Sequence, residues 1–309
     1  MSNFKDFKKK SVSSINDLIK RLDESETKKN YKDDRFWRCT TDKAGNGWAV
    51  IRFLPSKGVD GEDNPAVEVF SHSFQGPGGW YIENSLRTIG EKDPMKEAND
   101  ILWAGSEDDK NIARQRRQKK EYISNILVIK DEANPENEGK VFLFKYGVKI
   151  FDKIKEKLKP EFGDTEPINP FDFYEGANFK LKIRKVAGYT NYEKSEFDSI
   201  SKLFGGDDAK LEQIWNKLYP LKPFIDPANF KSYNDLKDRL DKVLGGDYTK
   251  DPSILRRTAG TTVRTAEDVE EEDFRPSKGA TPPKSKAKAE EMVEEETDAL
   301  SFFKNMKDS

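Results

Sequence analysis

Residues 178–186 read Asn178-Phe-Lys-Leu-Lys-Ile-Arg-Lys-Val186 and alternate regularly between apolar and cationic side chains. Successive side chains of a β-strand point to opposite faces of a sheet, so this alternation predicts a strand with one face on a core. The side chains predicted to face the core, and the cations predicted to face outward between them, are Phe179, Leu181 and Ile183, and Lys180, Lys182 and Arg184. The outward cations suit either a groove that follows a nucleic-acid backbone or protection of the strand against aggregation.

Similar patterns predict a mixture of strands and helices over the middle of the chain. Strands are predicted at residues 48–54, 67–74, 123–130 and 140–146 from their β-branched and aromatic content. Helices are predicted at residues 147–158, 209–218 and 233–244, with Gly245 and Gly246 as the stop of the last. Short strands with inserted helices predict an α+β, mainly β protein: a small Greek-key barrel with inserted helical subdomains, for which the OB-fold is the default candidate.

Charge is distributed unevenly along the 309 residues. The net charge is −2, but residues 266–300 hold twelve acidic against five basic residues, so the remainder carries +5. Hydrophobic residues make up 34% and charged residues 36% of the chain, which predicts that part of it lies outside a packed core. The single cysteine, Cys39, excludes an intramolecular disulfide, and the lack of a long apolar run predicts a soluble protein of the cytoplasm.

Cations and aromatic residues occur together at several places in the basic part of the chain. One run of cations ends in an aromatic residue: Arg114, Arg116, Arg117, Lys119, Lys120 and Tyr122. Further aromatic residues stand at turns and on strand faces: Trp80, Tyr81, Phe144, Tyr146, Tyr189 and Tyr192. Cations hold phosphates and flat rings stack on bases, as binding of single-stranded nucleic acid without sequence readout requires. Each piece alone is also typical of a solvated surface or a core; the repetition favours nucleic acid.

The residues alone are also compatible with an RNA-binding protein and have to be compared with those of a nuclease. An RNA-binding or translational regulator stays open, because every base has a face to stack and recognition of the 2′-hydroxyl leaves no visible signature. A metal-dependent nuclease would need paired carboxylates such as Asp33-Asp34 or Asp207-Asp208, whose polar context favours solvated side chains. With His72 as the only histidine and no Gly-x4-Gly-Lys-Ser/Thr loop, we expect no enzyme activity.

Both ends of the chain differ in composition from the middle, which indicates three regions: residues 1–25, 32–248 and 249–309. The first holds a basic run, Lys8, Lys9, Lys10 and Ser11, before a predicted helix whose one apolar stripe needs a surface to pack on. The last is acidic and poor in large apolar residues, so it is predicted to be disordered. It ends in apolar residues that predict a docking peptide for other proteins: Leu300, Phe302 and Phe303.

Six segments taken together resemble one known family, the single-stranded DNA-binding (helix-destabilising) replication proteins of T-even-like tailed bacteriophages. They are residues 44–57, 79–83, 125–131, 135–142, 175–179 and 186–192, and they occur in the same order. The resemblance implies an OB-fold that holds single-stranded DNA in a basic, aromatic-lined cleft. The rings it assigns to that cleft are Trp80, Tyr81, Tyr122, Phe144, Tyr189 and Tyr192, and the cations are those of residues 114–120.

The resemblance also implies roles for the two ends of the chain. In this family the N-terminal basic motif, matched by residues 8–11, mediates cooperative head-to-tail binding of neighbouring copies on DNA. The acidic tail recruits replication and recombination proteins such as the polymerase, the helicase loader and the recombination mediator. The implied location is the cytoplasm of the host cell.

One family feature is missing from this sequence. The best-known members bind a structural zinc ion through one histidine and three cysteines in the body of the protein. His72 stands at the histidine position, but Ser85 replaces one cysteine and Asp93-Pro94-Met95-Lys96 replaces the Cys-x-x-Cys segment. A structural zinc site needs four such ligands and this chain has one histidine and one cysteine in all. The sequence therefore predicts no zinc and no other cofactor.

Overall fold

The computed structural model describes residues 33–57, 64–162 and 166–257. The chain divides into two compact units, residues 1–36 and 37–309. In the described end of the first unit, Asp33 accepts hydrogen bonds from the backbone and the guanidinium group of Arg35. The predicted N-terminal helix, the basic run Lys8, Lys9, Lys10 and Ser11, and the apolar tip Leu300, Phe302 and Phe303 lie outside the described residues.

The predicted strands are confirmed, with ends that differ by a few residues. The strands of the described residues are β1 (Phe36–Trp37), β2 (Gly47–Phe53), β3 (Ala66–Gly76), β4 (Gly79–Asn84), β5 (Lys119–Lys130), β6 (Val141–Gly147), β7 (Ala177–Val186), β8 (Tyr189–Asn191) and β9 (Glu196–Ile200). The largest difference is in β5, which begins four residues before the predicted strand and so includes the end of the cationic run.

β5 is the strand that organises the sheet. The sheet follows the order β1-β6-β5-β2-β7-β8, and outside this path β3 pairs with β4 and β5, and β9 pairs with β7. The first half of β5 pairs antiparallel with β3 and its second half pairs antiparallel with β2, while β6 runs along its other edge. A 12-residue strand with three partners joins the two ends of the sheet and brings residues from distant parts of the chain together.

The alternation in residues 178–186 forms a strand with one face on the core, as predicted. Phe179 and Leu181 are buried in the core, whereas Lys180 and Lys182 lie partly exposed on the other face of β7. The strand pairs with β2 over six residues, so the same face of both strands covers the core.

The described helices are α1 (Pro94–Trp103), α2 (Glu107–Gln115), α3 (Val148–Leu158), α4 (Asp208–Asn216) and α5 (Tyr233–Leu244). The three predicted helices are confirmed as α3, α4 and α5, and α5 ends at Gly245 with φ 79°. α1 and α2 were not predicted, although both begin at clear N-caps: Asp93 accepts from two backbone amides, and Ser106 and Asp109 form a capping box. No helix in the described ranges is long and apolar enough to cross a membrane.

Three hydrophobic clusters hold the described residues together. The main cluster lies between α3 and strands β2, β5, β6 and β7. The second joins β3 and β4 to α1, α2 and α5, and the third joins the outer side of β2 and β5 to α4. The cationic run of the sequence enters β5 between residues of the second cluster, such as Ala113, and residues of the main cluster, such as Tyr122.

The boundary predicted at residue 249 is wrong. Residues Pro252–Arg256 form a short 3-10 helix in which Ile254 and Leu255 are buried in the second cluster. Arg256 also forms an ion pair with Asp109 of α2, with 2.6 Å between Nε and Oδ1. The compact body therefore extends to at least residue 256, because two buried apolar side chains and an ion pair dock this polar stretch.

Candidate nucleic-acid interface

The cationic run does not form one continuous patch, because it passes from a helix into a strand. Arg114 is exposed near the end of α2, 5.5 Å from the ring of Trp103. Arg117 is exposed in the connection that follows, and Lys119 and Lys120 are partly exposed on β5. Neighbouring strand residues point to opposite faces, so these two lysines cannot serve the same surface.

Arg116 must be removed from the predicted DNA-binding residues. Its side chain is buried, donates to the backbone carbonyls of Leu255 (2.8 Å) and Arg257 (2.6 Å), and lies over the ring of Phe74. Burial lowers the pKa of its guanidinium group to about 10. Arg116 is therefore a structural residue that fastens residues 255–257 to the body.

Four of the predicted stacking rings are also corrected. Tyr81, Tyr122, Phe144 and Tyr146 are all buried, the first in the second cluster and the others in the main one. Tyr122 illustrates the reason: its ring stacks on Phe151 with 3.7 Å between centroids. Burial raises the pKa of the Tyr122 hydroxyl, to which Glu68 also contributes. A ring already covered on its faces has no surface left for a base.

The remaining predicted rings, Trp80, Tyr189 and Tyr192, are partly exposed. Trp80 lies on β4 opposite Gln75, and its carbonyl accepts a hydrogen bond from Arg239 at 3.3 Å. Tyr189 lies on β8 opposite Val186. Four strands stand between β4 and β8 in the sheet order, so the sheet does not place Trp80 and Tyr189 next to each other.

One partly exposed ring, between the main and the second hydrophobic cluster, was not predicted from the sequence. Phe70 on β3 lies opposite Lys120 on β5, and two cations lie over its ring, Arg87 at 5.1 Å and Lys120 at 5.8 Å from the centroid. Lys120 also pairs with Glu68 at 2.9 Å. We refer to Phe70, Arg87, Lys120 and Glu68 as the Phe70 cluster.

The position of the Phe70 cluster follows from the strand pairing. Side chains of directly paired antiparallel residues share a face, so Phe70 and Lys120 lie on the face that carries Tyr122 and Phe74. Tyr122 belongs to the main hydrophobic cluster and Phe74 to the second. Between them, the four residues of the Phe70 cluster are partly exposed. The strand predicted at residues 67–74 could have indicated that Phe70 lies on a sheet face. No sequence pattern indicated that Arg87, in a 3-10 turn, lies beside it.

The outward cations of β7 are present as predicted, but each is paired with a carboxylate. Lys180 pairs with Asp198 (2.9 Å), Lys182 with Glu196 (2.7 Å) and Arg184 with Glu193 (3.5 Å). These hydrogen bonds from the lysines lower the pKa values of Glu196 and Asp198. The face is therefore close to neutral, and a phosphate can bind these cations only by displacing a carboxylate.

His72 lies in a buried polar network rather than among metal ligands. Its Nε2 is 3.4 Å from Asp93, whose other carboxylate oxygen accepts from Ser85 at 2.8 Å. Gln118 donates to Ser85 at 2.6 Å. The desolvation of Asp93 opposes its ionisation, but the hydrogen bond and electrostatic interaction with His72, together with hydrogen bonds from Lys96 and Ser85, outweigh it and lower the pKa of Asp93 to about 2.

The residues of this network do not fit a structural zinc ion. Such a site needs four donors of thiolate, imidazole or carboxylate type. His72 and Asp93 are two, while Ser85 supplies a hydroxyl and Cys39 packs against a different cluster. The described part of the chain contains no group of three or more histidine, cysteine, aspartate and glutamate side chains placed to hold a metal.

The carboxylate pairs considered for a nuclease serve local structure where they are described. Asp207 is the N-cap of α4, and Asp208 accepts a hydrogen bond from the hydroxyl of Tyr174 at 2.8 Å. Asp33 binds Arg35. Neither pair is arranged to share a metal ion.

Comparison with known proteins identifies close relatives of this chain. The family described as "gp32 DNA binding protein like" matches residues 45–244. A single-stranded DNA-binding protein of Enterobacteria phage T2 and its counterpart in Enterobacteria phage T4 are each 34% identical over 271 residues, covering 85% of both chains. A protein of the same name from Escherichia phage SV14 is 39% identical over 87 residues, 28% of this chain and 75% of its own. These names give no support to the RNA-binding alternative.

Proposed function

This chain belongs to the family of gp32-like DNA-binding proteins, and we propose that it binds single-stranded DNA cooperatively and without sequence preference in phage DNA replication, recombination and repair. The Phe70 cluster is the observation that carries the proposal at the level of residues. It offers a partly exposed ring with two cations within 6 Å of it, between two hydrophobic clusters that hold it in place. A base can stack on the ring when Arg87 exchanges Gln118, and Lys120 exchanges Glu68, for the flanking phosphates.

The proposed mechanism is binding without chemistry. A protein that occupies only the single-stranded form draws the duplex equilibrium toward that form by mass action. No bond is made or broken, so the protein is not proposed to be an enzyme. Arg114 and Arg117 are proposed to extend the cationic surface beside the Phe70 cluster, Lys119 to bind phosphate on the other face of β5, and Trp80, Tyr189 and Tyr192 to contact bases farther along the strand.

The finer features of the family are proposed for the remaining parts of the chain. The strands around the main hydrophobic cluster are proposed to form an OB-fold, which is supported by the pairing of β5 with three antiparallel strands. Residues 1–25 are proposed to link neighbouring copies on DNA through Lys8, Lys9, Lys10 and Ser11. The acidic residues beyond 257 are proposed to recruit a polymerase, a helicase loader and a recombination mediator in the host cytoplasm.

Titration of the full-length protein and of a variant lacking residues 1–12 against poly(dT), followed by tryptophan fluorescence over a salt series, tests this function. With about five cations on phosphates, the logarithm of affinity should fall with the logarithm of salt with a slope near −3.5. The truncated variant should lose cooperativity and keep its single-site affinity. A matched poly(U) titration serves as the control for nucleic-acid type. A slope near zero, or tighter binding of poly(U), would contradict the proposal.

We also propose that the protein holds no structural zinc and that the network of His72, Asp93, Ser85 and Gln118 takes over its place. The purified protein should then contain far less than one zinc ion per chain, and EDTA should leave the Tm unchanged. Asp93→Ala should lower the Tm, because it leaves the buried Ser85 hydroxyl and several backbone amides without an acceptor. Stoichiometric zinc that survives dialysis would overturn this assignment.

A further inference from the structure

Trp48 is a large aromatic side chain at the open end of the outer face of β2. It is 42% exposed. Arg52 and Leu54, farther along the same face, are fully buried, and Leu54 belongs to the third hydrophobic cluster. The outer face of β2 is therefore covered at one end and accessible at Trp48.

Two lysines from the neighbouring strands lie beside Trp48. The ammonium group of Lys130 on β5 is 4.9 Å from the centroid of the indole ring. On the other side, Lys182 of β7 is the direct cross-strand partner of Trp48. Paired antiparallel residues have their side chains on one face, so the ring lies in a row between a lysine of β5 and a lysine of β7.

Core packing does not account for a tryptophan at this position. Among the described residues, the three hydrophobic clusters contain Trp37 but not Trp48. A half-exposed indole leaves apolar surface in contact with water, and a planar partner that stacks on it removes this surface. Because a lysine lies on each side of the ring, a partner with a planar group between two negative charges fits this site best.

We propose that Trp48 is a second stacking platform for single-stranded DNA, separate from the Phe70 cluster, with Lys130 and Lys182 on the adjacent phosphates. The proposal rests on the proposed function and adds a contact to it. A strand of nucleotides is the occupant that fits the row, because it alternates flat bases with anionic phosphates.

The present partners of the two lysines do not prevent this use. Lys130 pairs with Glu132 (3.1 Å) and Lys182 with Glu196 (2.7 Å), and all four side chains are at least 44% exposed. Exposed ion pairs contribute little to stability, so a phosphate can replace the carboxylate. The contact of Lys130 with the exposed ring is likewise weaker than stacking of a base on that ring.

The two platforms are far enough apart to be separated by oligonucleotide length. Lys120 and Lys130 are ten residues apart on β5, which corresponds to about 33 Å along a strand. Four nucleotides span only about 20 Å, even when stretched to about twice the roughly 3.4 Å spacing of phosphates along one strand of a duplex. The two platforms also lie on opposite faces of the sheet, so a strand that reaches both has to pass around it. At the same stretched spacing, 16 nucleotides span about 100 Å, which is long enough for this path.

The test measures the affinity of the full-length protein for (dT)16 and (dT)4 by a label on the DNA. Trp48→Ala should weaken binding of (dT)16 about tenfold, in the range of one lost stacked base, and Trp48→Phe should stay within about twofold because a ring remains. For (dT)4, Trp48→Ala should reduce the affinity less than Phe70→Ala does. Trp215→Ala removes a ring of similar exposure, 36%, that packs on Phe173 of this chain, and should leave (dT)16 binding unchanged.

The outcomes separate this inference from the function on which it rests. If Trp48→Ala binds (dT)16 as the unmodified protein does, while Phe70→Ala weakens it, the second platform is wrong and the function stands. If Trp48→Ala and Trp215→Ala weaken (dT)16 binding equally, the effect is general and the inference is also wrong. If the unmodified protein binds neither oligomer, the proposed function itself fails.

Discussion

Arg116→Ala is expected to lower the free energy of unfolding by about 3 kcal/mol, because a buried and a partly buried carbonyl group lose a charged donor. Arg116 donates to the carbonyls of Leu255 and Arg257 and covers the ring of Phe74. Alanine leaves these carbonyls unsatisfied and opens a cavity beside the second hydrophobic cluster. Urea denaturation followed by circular dichroism measures the change. Limited proteolysis should also cut the variant earlier near residues 252–257.

Arg114→Ala is the matched control, two residues earlier in the same basic run. Arg114 is exposed and its contacts are with Trp103 and Glu107 at the surface, so its removal should change the unfolding free energy by less than about 1 kcal/mol. The same pair distinguishes the two roles on DNA: Arg114→Ala should reduce the salt slope of binding, whereas folded Arg116→Ala should keep it. Equal stability of the two variants would contradict a structural role for Arg116.

Phe70→Ala is expected to weaken binding of single-stranded DNA about 10- to 100-fold, since a stacked base contributes about 1–3 kcal/mol. The loss should be similar for all base compositions, because every base has a face to stack. Removal of the ring also removes its contacts with Arg87 and Lys120. Both cations remain, but the ring no longer holds them next to each other. Fluorescence titration with (dT)16 and a mixed-sequence 16-mer measures the effect.

Two replacements at the same position test whether the ring or only its apolar volume matters. Phe70→Tyr keeps a ring and should bind within a few-fold of the unmodified protein. Phe70→Leu keeps most of the apolar volume and should bind as weakly as Phe70→Ala. If leucine restores binding, Phe70 contributes packing and the stacking assignment is wrong. Tyr122→Ala, by contrast, should act mainly through stability, because its ring is in the core.

The strands were predictable because their patterns are local. The alternation of Phe179 and Leu181 with Lys180 and Lys182 placed β7 and its buried face correctly. The helix at Tyr233–Leu244 followed from its apolar spacing and from Gly245, which adopts φ 79° after it. α2 was missed because its only apolar residues are Ile112 and Ala113. α1 was missed although Met95, Ala98 and Leu102 follow a helical spacing and Asp93 caps it.

The stacking rings were partly mispredicted for a physical reason. An aromatic residue on a strand serves a core or a ligand equally well, and the sequence contains no local mark of which one covers it. Tyr122 and Phe70 lie on the same face of paired strands, yet Phe151 of α3 covers Tyr122, while Phe70 keeps a partly open position. Tyr122 is buried and Phe70 is not because α3, which follows β6 and begins more than 25 residues beyond Tyr122 in sequence, packs over Tyr122 only.

The sequence by itself determined the order and type of most strands and helices and the segregation of charge, because these depend on composition and short-range periodicity. It determined the family through the resemblance of six segments to known members. Only the tertiary structure decided which cations and rings are available to DNA. Arg116 is buried by residues 255–257, the β7 cations are paired by carboxylates around β9, and Phe70 is brought to Lys120 by strand pairing across 50 residues. Burial and charge pairing depend on which distant segment arrives at each side chain, and that information is not local.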